Sequence, residues 1–217
     1  MSTVYVVLGM HRSGTSLVSS MLHAAGIPMC RHTRCNRRTP SQPQGHWEDN
    51  AFLALNRRIL YSAKGNWKRP PDRNALQSAA DKLYPDMVKL VALRSQGVPV
   101  WGWKEPRTTL LAHLWHQVLV EAGHDPRYAI CTRPQAEIVR SLIRRNKGGA
   151  RRWRRLCNAY MLAIFQFICD YRPEQVLVSF KALTSGDTHG EALALAQFAG
   201  VEDRVGDMVS RVKRRGA

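Results

Sequence analysis

The chain has 217 residues, 44% of them hydrophobic, enough for one sizeable core, and a single domain over 1–217 is expected. Its 33 Lys and Arg against 16 Asp and Glu give a formal charge of +17, a field that gathers anionic nucleotides, acidic glycans, nucleic acid or anionic membrane surfaces without choosing among them. The longest apolar run, Ala159 to Cys169, carries Gln166 and falls short of the roughly 20 residues of a membrane span, and the five cysteines form no CxxC pair that would signal zinc or a full disulfide framework.

Val4 to Leu8 reads as a short apolar strand. No basic leader precedes it, so no secretory signal is read, and reduced thiols in a cytoplasmic protein are the expectation. The strand opens on Gly9-Met10-His11-Arg12-Ser13-Gly14-Thr15-Ser16 and then a helix. Gly9 and Gly14 permit a tight backbone, and Thr15 and Ser16 add hydroxyl donors where backbone N–H groups favour an anion. A nucleoside-triphosphate loop carries lysine after its second glycine, whereas Thr15 stands there in this chain and the nearest cation is Arg12.

Leu17, Val18, Met21 and Leu22 give helical spacing over Thr15 to Ala25, with Gly26 as the stop. Arg31 to Gln44 is polar, basic and proline-containing, a long loop of the kind that is more often functional than idle. Helices are predicted over Asn50 to Ser62 and Ala75 to Ser95, the second broken near Pro85. Val98 to Trp103 reads as a strand, followed by the turn Lys104-Glu105-Pro106-Arg107 and a helix through Leu110, Leu111, Leu114, Trp115 and Val118. Further strands are read over Arg127 to Thr132 and Gln175 to Phe180, with a helix after Pro134. A basic patch covers Arg140 to Arg155, and a basic tail of about 211–217 reads as frayed. Alternating strands and helices predict a P-loop-like three-layer α/β/α fold with a mostly parallel central sheet.

Arg133 at a strand end and Ser141 two turns into the next helix converge on one phosphate if that helix packs back over the strand. With the first loop they would lay a nucleotide across the carboxyl edge of the sheet. Arg144, Arg145 and Lys147 are further cations nearby, equally readable as a solvated face.

Gly9 to Ser16 resembles the 5'-phosphosulfate loop of sulfotransferases that use 3'-phosphoadenosine 5'-phosphosulfate (PAPS). Arg133-Pro134 followed by Ser141 resembles that family's 3'-phosphate site. Gly45-His46-Trp47-Glu48-Asp49-Asn50 with Leu55-Asn56, and Trp101-Gly102-Trp103-Lys104-Glu105-Pro106-Arg107, resemble segments of bacterial members of carbohydrate or small-acceptor type, so the likeness spans nearly the whole chain.

The resemblance implies PAPS as sulfuryl donor, no metal, and a hydroxyl acceptor on a carbohydrate, glycolipid or other small molecule. Arg12, Ser13, Gly14, Thr15, Ser16, Arg133 and Ser141 would bind the nucleotide, Arg12 replacing the lysine of many cytosolic members. Glu48 would be the general base, with His46 and Asp49 as alternatives, while Arg12 and Lys104 would meet charge developing on the leaving oxygen. Glu105 stands where aspartate is more usual, and Trp101 and Trp103 are assigned to the core. A P-loop kinase or nucleotide hydrolase is the alternative, against which the missing lysine and the lack of a magnesium-holding aspartate weigh. A basic module for polyanions is the other, although no specific nucleic acid is expected; the charge is compatible with peripheral membrane contact, and nothing in the sequence fixes the oligomeric state.

Overall fold

A computed structural model describes residues 1–30, 39, 45–146 and 148–212. Apart from Thr39, the long loop read over Arg31 to Gln44 lies outside the described residues, as do Lys147 and the tail beyond Val212. Four strands, β1 (Thr3–Leu8), β2 (Val100–Lys104), β3 (Asp125–Thr132) and β4 (Gln175–Ser179), form one sheet in the order β2-β1-β3-β4, all pairs parallel. Helices α1 (Thr15–Ala24), α2 (Asn50–Ser62), α3 (Arg73–Ser95), α4 (Ala112–Glu121), α5 (Gln135–Asn146), α6 (Ala150–Tyr171), α7 (Phe180–Ser185), α8 (Thr188–Ala199) and α9 (Val205–Ser210) connect and cover the strands.

Strand β1 is apolar without interruption because it is central and buried on both faces. Val4, Val6 and Leu8 pack with α2 to α6, whereas Tyr5 and Val7 pack with α1, α8 and α9. The first of these layers holds an aromatic nest in which Phe52 lies parallel to Trp103 at 4.1 Å, with Trp101 and Trp115 beside them. Trp101 and Trp103 are core residues, 1% and 0% exposed.

In-register parallel pairing brings the carboxyl ends of the strands to one edge, with Val7 opposite Lys104, Leu8 opposite Ile130 and Thr132 opposite Ser179. The chain leaves β1 toward β2 on one side and leaves β3 toward β4 on the other. The crevice between the ends of β1 and β3 is therefore the topological switch point, where ligands of open α/β sheets bind.

Three local features depart from the sequence reading. Helix α3 runs unbroken through Pro85; the missing N–H falls on a face where Pro85 and Asp81, whose carbonyl loses its donor, are both exposed to water. Residues Pro106–Leu111 form a 3-10 helix before α4, started by Glu105, whose carboxylate accepts from Arg107 N. Cys30 is disulfide-bonded, which corrects the expectation of wholly reduced thiols, while Cys131, Cys157 and Cys169 are free and Cys35 lies outside the described residues. Among the described residues no helix is long and apolar enough to cross a membrane.

Asp49, an alternative base in the sequence reading, holds the fold instead. Its carboxylate caps α2 by accepting from Ala51 N at 2.8 Å and takes two bonds from Arg94, at 2.7 and 2.9 Å. Both side chains are almost fully buried, at 3% and 5% exposure. Removing one member of such a pair strands the other charge in the core. Arg94→Ala is expected to lower unfolding stability by about 3–5 kcal/mol. Arg58→Ala, which breaks the exposed pair with Asp86, is expected to cost no more than about 1 kcal/mol. Urea denaturation of both variants measures the contrast.

Candidate functional site

The loop after β1 is closed by its own side chains. Ser13 Oγ donates to Met10 O at 2.7 Å, and the Thr109 hydroxyl bridges the backbone of Gly9, accepting from its N–H at 2.9 Å and donating to its carbonyl at 3.1 Å. Gly14 has φ 103°, and a Cβ there would collide with the Phe180 ring at the start of α7. Helix α1 begins with no side-chain cap, and Leu17 N donates to Gly14 O at 2.9 Å, which leaves the Thr15 and Ser16 amides at the start of the first turn without an intrahelical acceptor or a capping side chain. That amide cluster, at the positive end of a helix dipole, suits a phosphate or sulfate group.

Arg12 adopts φ 74°, a left-handed conformation that costs a residue with a side chain about 1–3 kcal/mol unless its surroundings enforce it. They do so at both ends of the residue. Arg12 Nε donates to Ser141 Oγ at 2.8 Å, and Arg133 Nη1 donates to Arg12 O at 3.0 Å. Arg133 is itself oriented by Glu137, whose carboxylate lies 2.9 Å from its Nε, and by the Phe180 ring 4.3 Å beneath it. Arg12 and the Arg133–Ser141 stretch, more than 120 residues apart in sequence, thus meet at the switch point.

Lys104, at the end of β2, is 1% exposed and donates to Glu48 Oε1 at 3.0 Å. Burial alone would raise the Glu48 pKa, but the charge and hydrogen bond of Lys104, with His46 and Arg107, outweigh it and hold the pKa below the ordinary 4.5. Glu48 is therefore ionised at neutral pH. His46 Nδ1 lies 4.0 Å from the same carboxylate, and its Nε2 shares a hydrogen bond with Thr39 Oγ1 at 2.9 Å. Ser16 Oγ donates to His46 O at 3.0 Å, so this hydroxyl proton joins the loop to the Glu48 segment. Thr15 is buried at the first position of α1.

Several residues complete this assembly through contacts made across the fold. Glu105 is fully buried, burial raises its pKa, and its carboxylate is gripped by Arg107 and by Asn56 Nδ2 at 2.8 Å. Asn56 also donates to Thr108 Oγ1 at 2.9 Å and accepts from Trp115 Nε1 at 2.8 Å, which ties α2 to the segment after β2. The His11 ring packs tilted against Trp67 with centroids 4.3 Å apart, and its buried Nε2 has no hydrogen-bond partner among the described residues. Burial first, then Arg107, Arg145, Lys104 and Arg12, push the His11 pKa well below 6.5, so its ring is neutral. Of the further cations read near Arg133, Arg144 and Arg145 are exposed on α5. Among the described residues no three His, Cys, Asp or Glu side chains cluster so as to hold a metal ion.

No family model and no curated protein sequence matches this chain. Among solved structures, the sulfotransferase domain from the curacin biosynthetic pathway is similar with a TM-score of 0.56 at 13% identity, over 94% of this chain and 77% of that one. The sulfotransferase domain from the Synechococcus PCC 7002 olefin synthase is similar with a TM-score of 0.53 at 15% identity, over 99% of this chain and 81% of that one. At those identities the likeness is one of fold. The chain has the P-loop-like α/β fold of these sulfotransferase domains, a four-stranded all-parallel sheet between two layers of helices.

Proposed function

We propose that the chain is a sulfotransferase that takes a sulfuryl group from PAPS and places it on a hydroxyl of a carbohydrate, glycolipid or other small acceptor. The observation that carries this reading is the convergence at one sheet edge of two anion-binding elements with a buried lysine–carboxylate pair. The first is the uncapped start of α1 with Arg12, and the second is Arg133 with Ser141. The pair is Lys104–Glu48.

The residues present fit the donor. The open amides of the first turn of α1 and the Arg12 guanidinium suit its 5'-phosphosulfate, and Arg133 and Ser141 suit its 3'-phosphate. When bound, PAPS supplies an activated sulfuryl group whose bond to the 5'-phosphate breaks as the acceptor oxygen bonds to sulfur. Glu48, ionised and partly open to solvent, accepts the acceptor's hydroxyl proton. In the resting state its charge is balanced by Lys104 at 3.0 Å. Proton uptake by Glu48 cancels that balance and leaves the ammonium as a full positive charge in a site of low polarity, where it acts strongly on negative charge developing nearby. Arg12 remains charged throughout. Neither the lysine that reaches the outer phosphates of a nucleoside triphosphate nor a strand-end aspartate for magnesium stands in the loop, which favours this reading over a kinase.

Calorimetry with 3'-phosphoadenosine 5'-phosphate and with AMP tests the donor assignment. Arg133→Ala is expected to weaken the bisphosphate far more than AMP, and equal losses would refute the 3'-phosphate role. Glu48→Gln is expected to keep bisphosphate affinity while reducing PAPS-dependent transfer by about 10²–10⁴-fold. The pH dependence separates Glu48 from His46. A carboxylate with a depressed pKa stays ionised until the pH falls through that lower value, so the acid limb of kcat/KM is expected below 4.5. A limb near the ordinary imidazole value of about 6.5 would give the proton transfer to His46.

A further inference from the structure

Beside the Glu48–Lys104 pair lies a cleft of about 130 Å³ lined by Arg57, Leu60, Tyr61, Asn66, Trp67 and Arg107. One water needs about 10–15 Å³ of such space, so there is ample room for a small ionic group and the ring or chain that carries it. Its lining is largely polar, and Leu60, only 1% exposed, anchors that wall in the core. The lining has two guanidinium groups and no carboxylate. Arg107 is held from behind by the buried Glu105, whereas Arg57 is exposed and forms no ion pair among the described residues. Lys68 and Arg145 stand 5.2 and 6.0 Å from the Trp67 ring, which adds positive charge to the same wall.

The cleft is built into the site. Asn56 points inward to grip Glu105, and its neighbours Arg57, Leu60 and Tyr61 on α2 form the cleft wall. Asn66 Oδ1 accepts from Lys68 N at 2.8 Å and Arg69 N at 3.2 Å, which fixes the turn that presents Trp67. The Trp67 ring also packs against His11 of the loop after β1 and Trp153 of α6. The charge of Arg107 also acts on Glu48.

We propose that this cleft is the acceptor subsite and that it selects acceptors carrying an anionic group, a carboxylate, phosphate or sulfate, held by Arg57 and Arg107 with the attached ring or chain against Trp67 and Tyr61. The proposal rests on the sulfotransferase reading above. It narrows the acceptor from any small hydroxyl compound to an acidic one. Guanidinium pairs grip such groups through two parallel hydrogen bonds, and the aromatic edges supply the flat contact that a neutral pocket would also offer.

The test uses the full chain saturated with 3'-phosphoadenosine 5'-phosphate and two matched pairs of probes, methyl β-glucuronoside against methyl β-glucoside and 4-hydroxybenzoate against 4-hydroxybenzamide. Affinities are read by ligand-observed NMR titration. The anionic member of at least one pair is expected to bind about tenfold more tightly than its neutral partner. Arg57→Ala is expected to reduce that preference to within about twofold, and Arg58→Ala, an equal change in net charge one residue away, to leave it intact. Absence of any anion preference, absence of anionic-probe binding, or equal loss in the two variants would overturn the proposal. If the bisphosphate fails to bind while anionic probes still depend on Arg57, the donor assignment falls and the anion cleft stands.

Discussion

Burying the Lys104 ammonium at the end of β2 is the constraint around which the site is arranged. An unpaired ammonium in that position would cost several kcal/mol, so the fold must bring a carboxylate to it. Glu48 fulfils that need from a segment 56 residues away. Its own placement depends on the residues that flank it. Trp47, with φ 52°, is 8% exposed and packs its ring on His23 of α1, while Asp49 starts α2 and is clamped by Arg94 of α3. The pair therefore ties β2, α1, α2 and α3 together, and a change in the charge of Glu48 is felt by a group that cannot escape into water.

A second group of charges lies across the switch point. Arg12, Arg133, Arg107 and Lys104 gather near the carboxyl ends of β1, β2 and β3, while the carboxylates facing them are Glu48, Glu105 and Glu137. Each carboxylate is engaged with a cation, and Arg12 Nε donates to Ser141 Oγ. These side chains stand at the sheet edge where α1 begins without a side-chain cap. Polyanion attraction over the whole surface, which the net charge of +17 guarantees, is a separate and weaker effect that salt screens. The charges gathered in the crevice are buried or partly buried and are screened less.

The parts legible in the sequence were those carried by local patterns. The apolar run of β1, the glycines around Arg12 and the strand preceding Arg133 each announce themselves within a dozen residues, and the strand ends follow from them. The partners that complete the site do so across the fold, as with Thr109 on Gly9, Asn56 on Glu105 and Trp67 on His11. Polar and aromatic residues in helices and turns have many other uses, so no spacing rule singles these out. Asp49 shows the limit from the other side. Its position beside Glu48 admits a chemical reading, while its bonds to Ala51 N and to Arg94 of α3 make it a structural charge. Pro85 likewise reads as a break until the exposure of its face shows that water can take over the lost bond.

Arginine rather than lysine in the first loop follows from this geometry. A lysine at residue 12 would offer a mobile ammonium with no fixed plane, and it would have to reach both Ser141 and the ligand with the same nitrogen. The guanidinium divides those tasks among different atoms: Nε bonds Ser141 at 2.8 Å and sets the plane of the group. Because Arg133 simultaneously holds the Arg12 carbonyl, the plane of one arginine and the position of the other are coupled. A ligand phosphate that draws Arg133 toward itself would pull on the backbone of Arg12, whose left-handed φ leaves little slack. The side chain of Arg133 and the backbone of Arg12 are thereby linked, so that the conformation of one residue constrains the other.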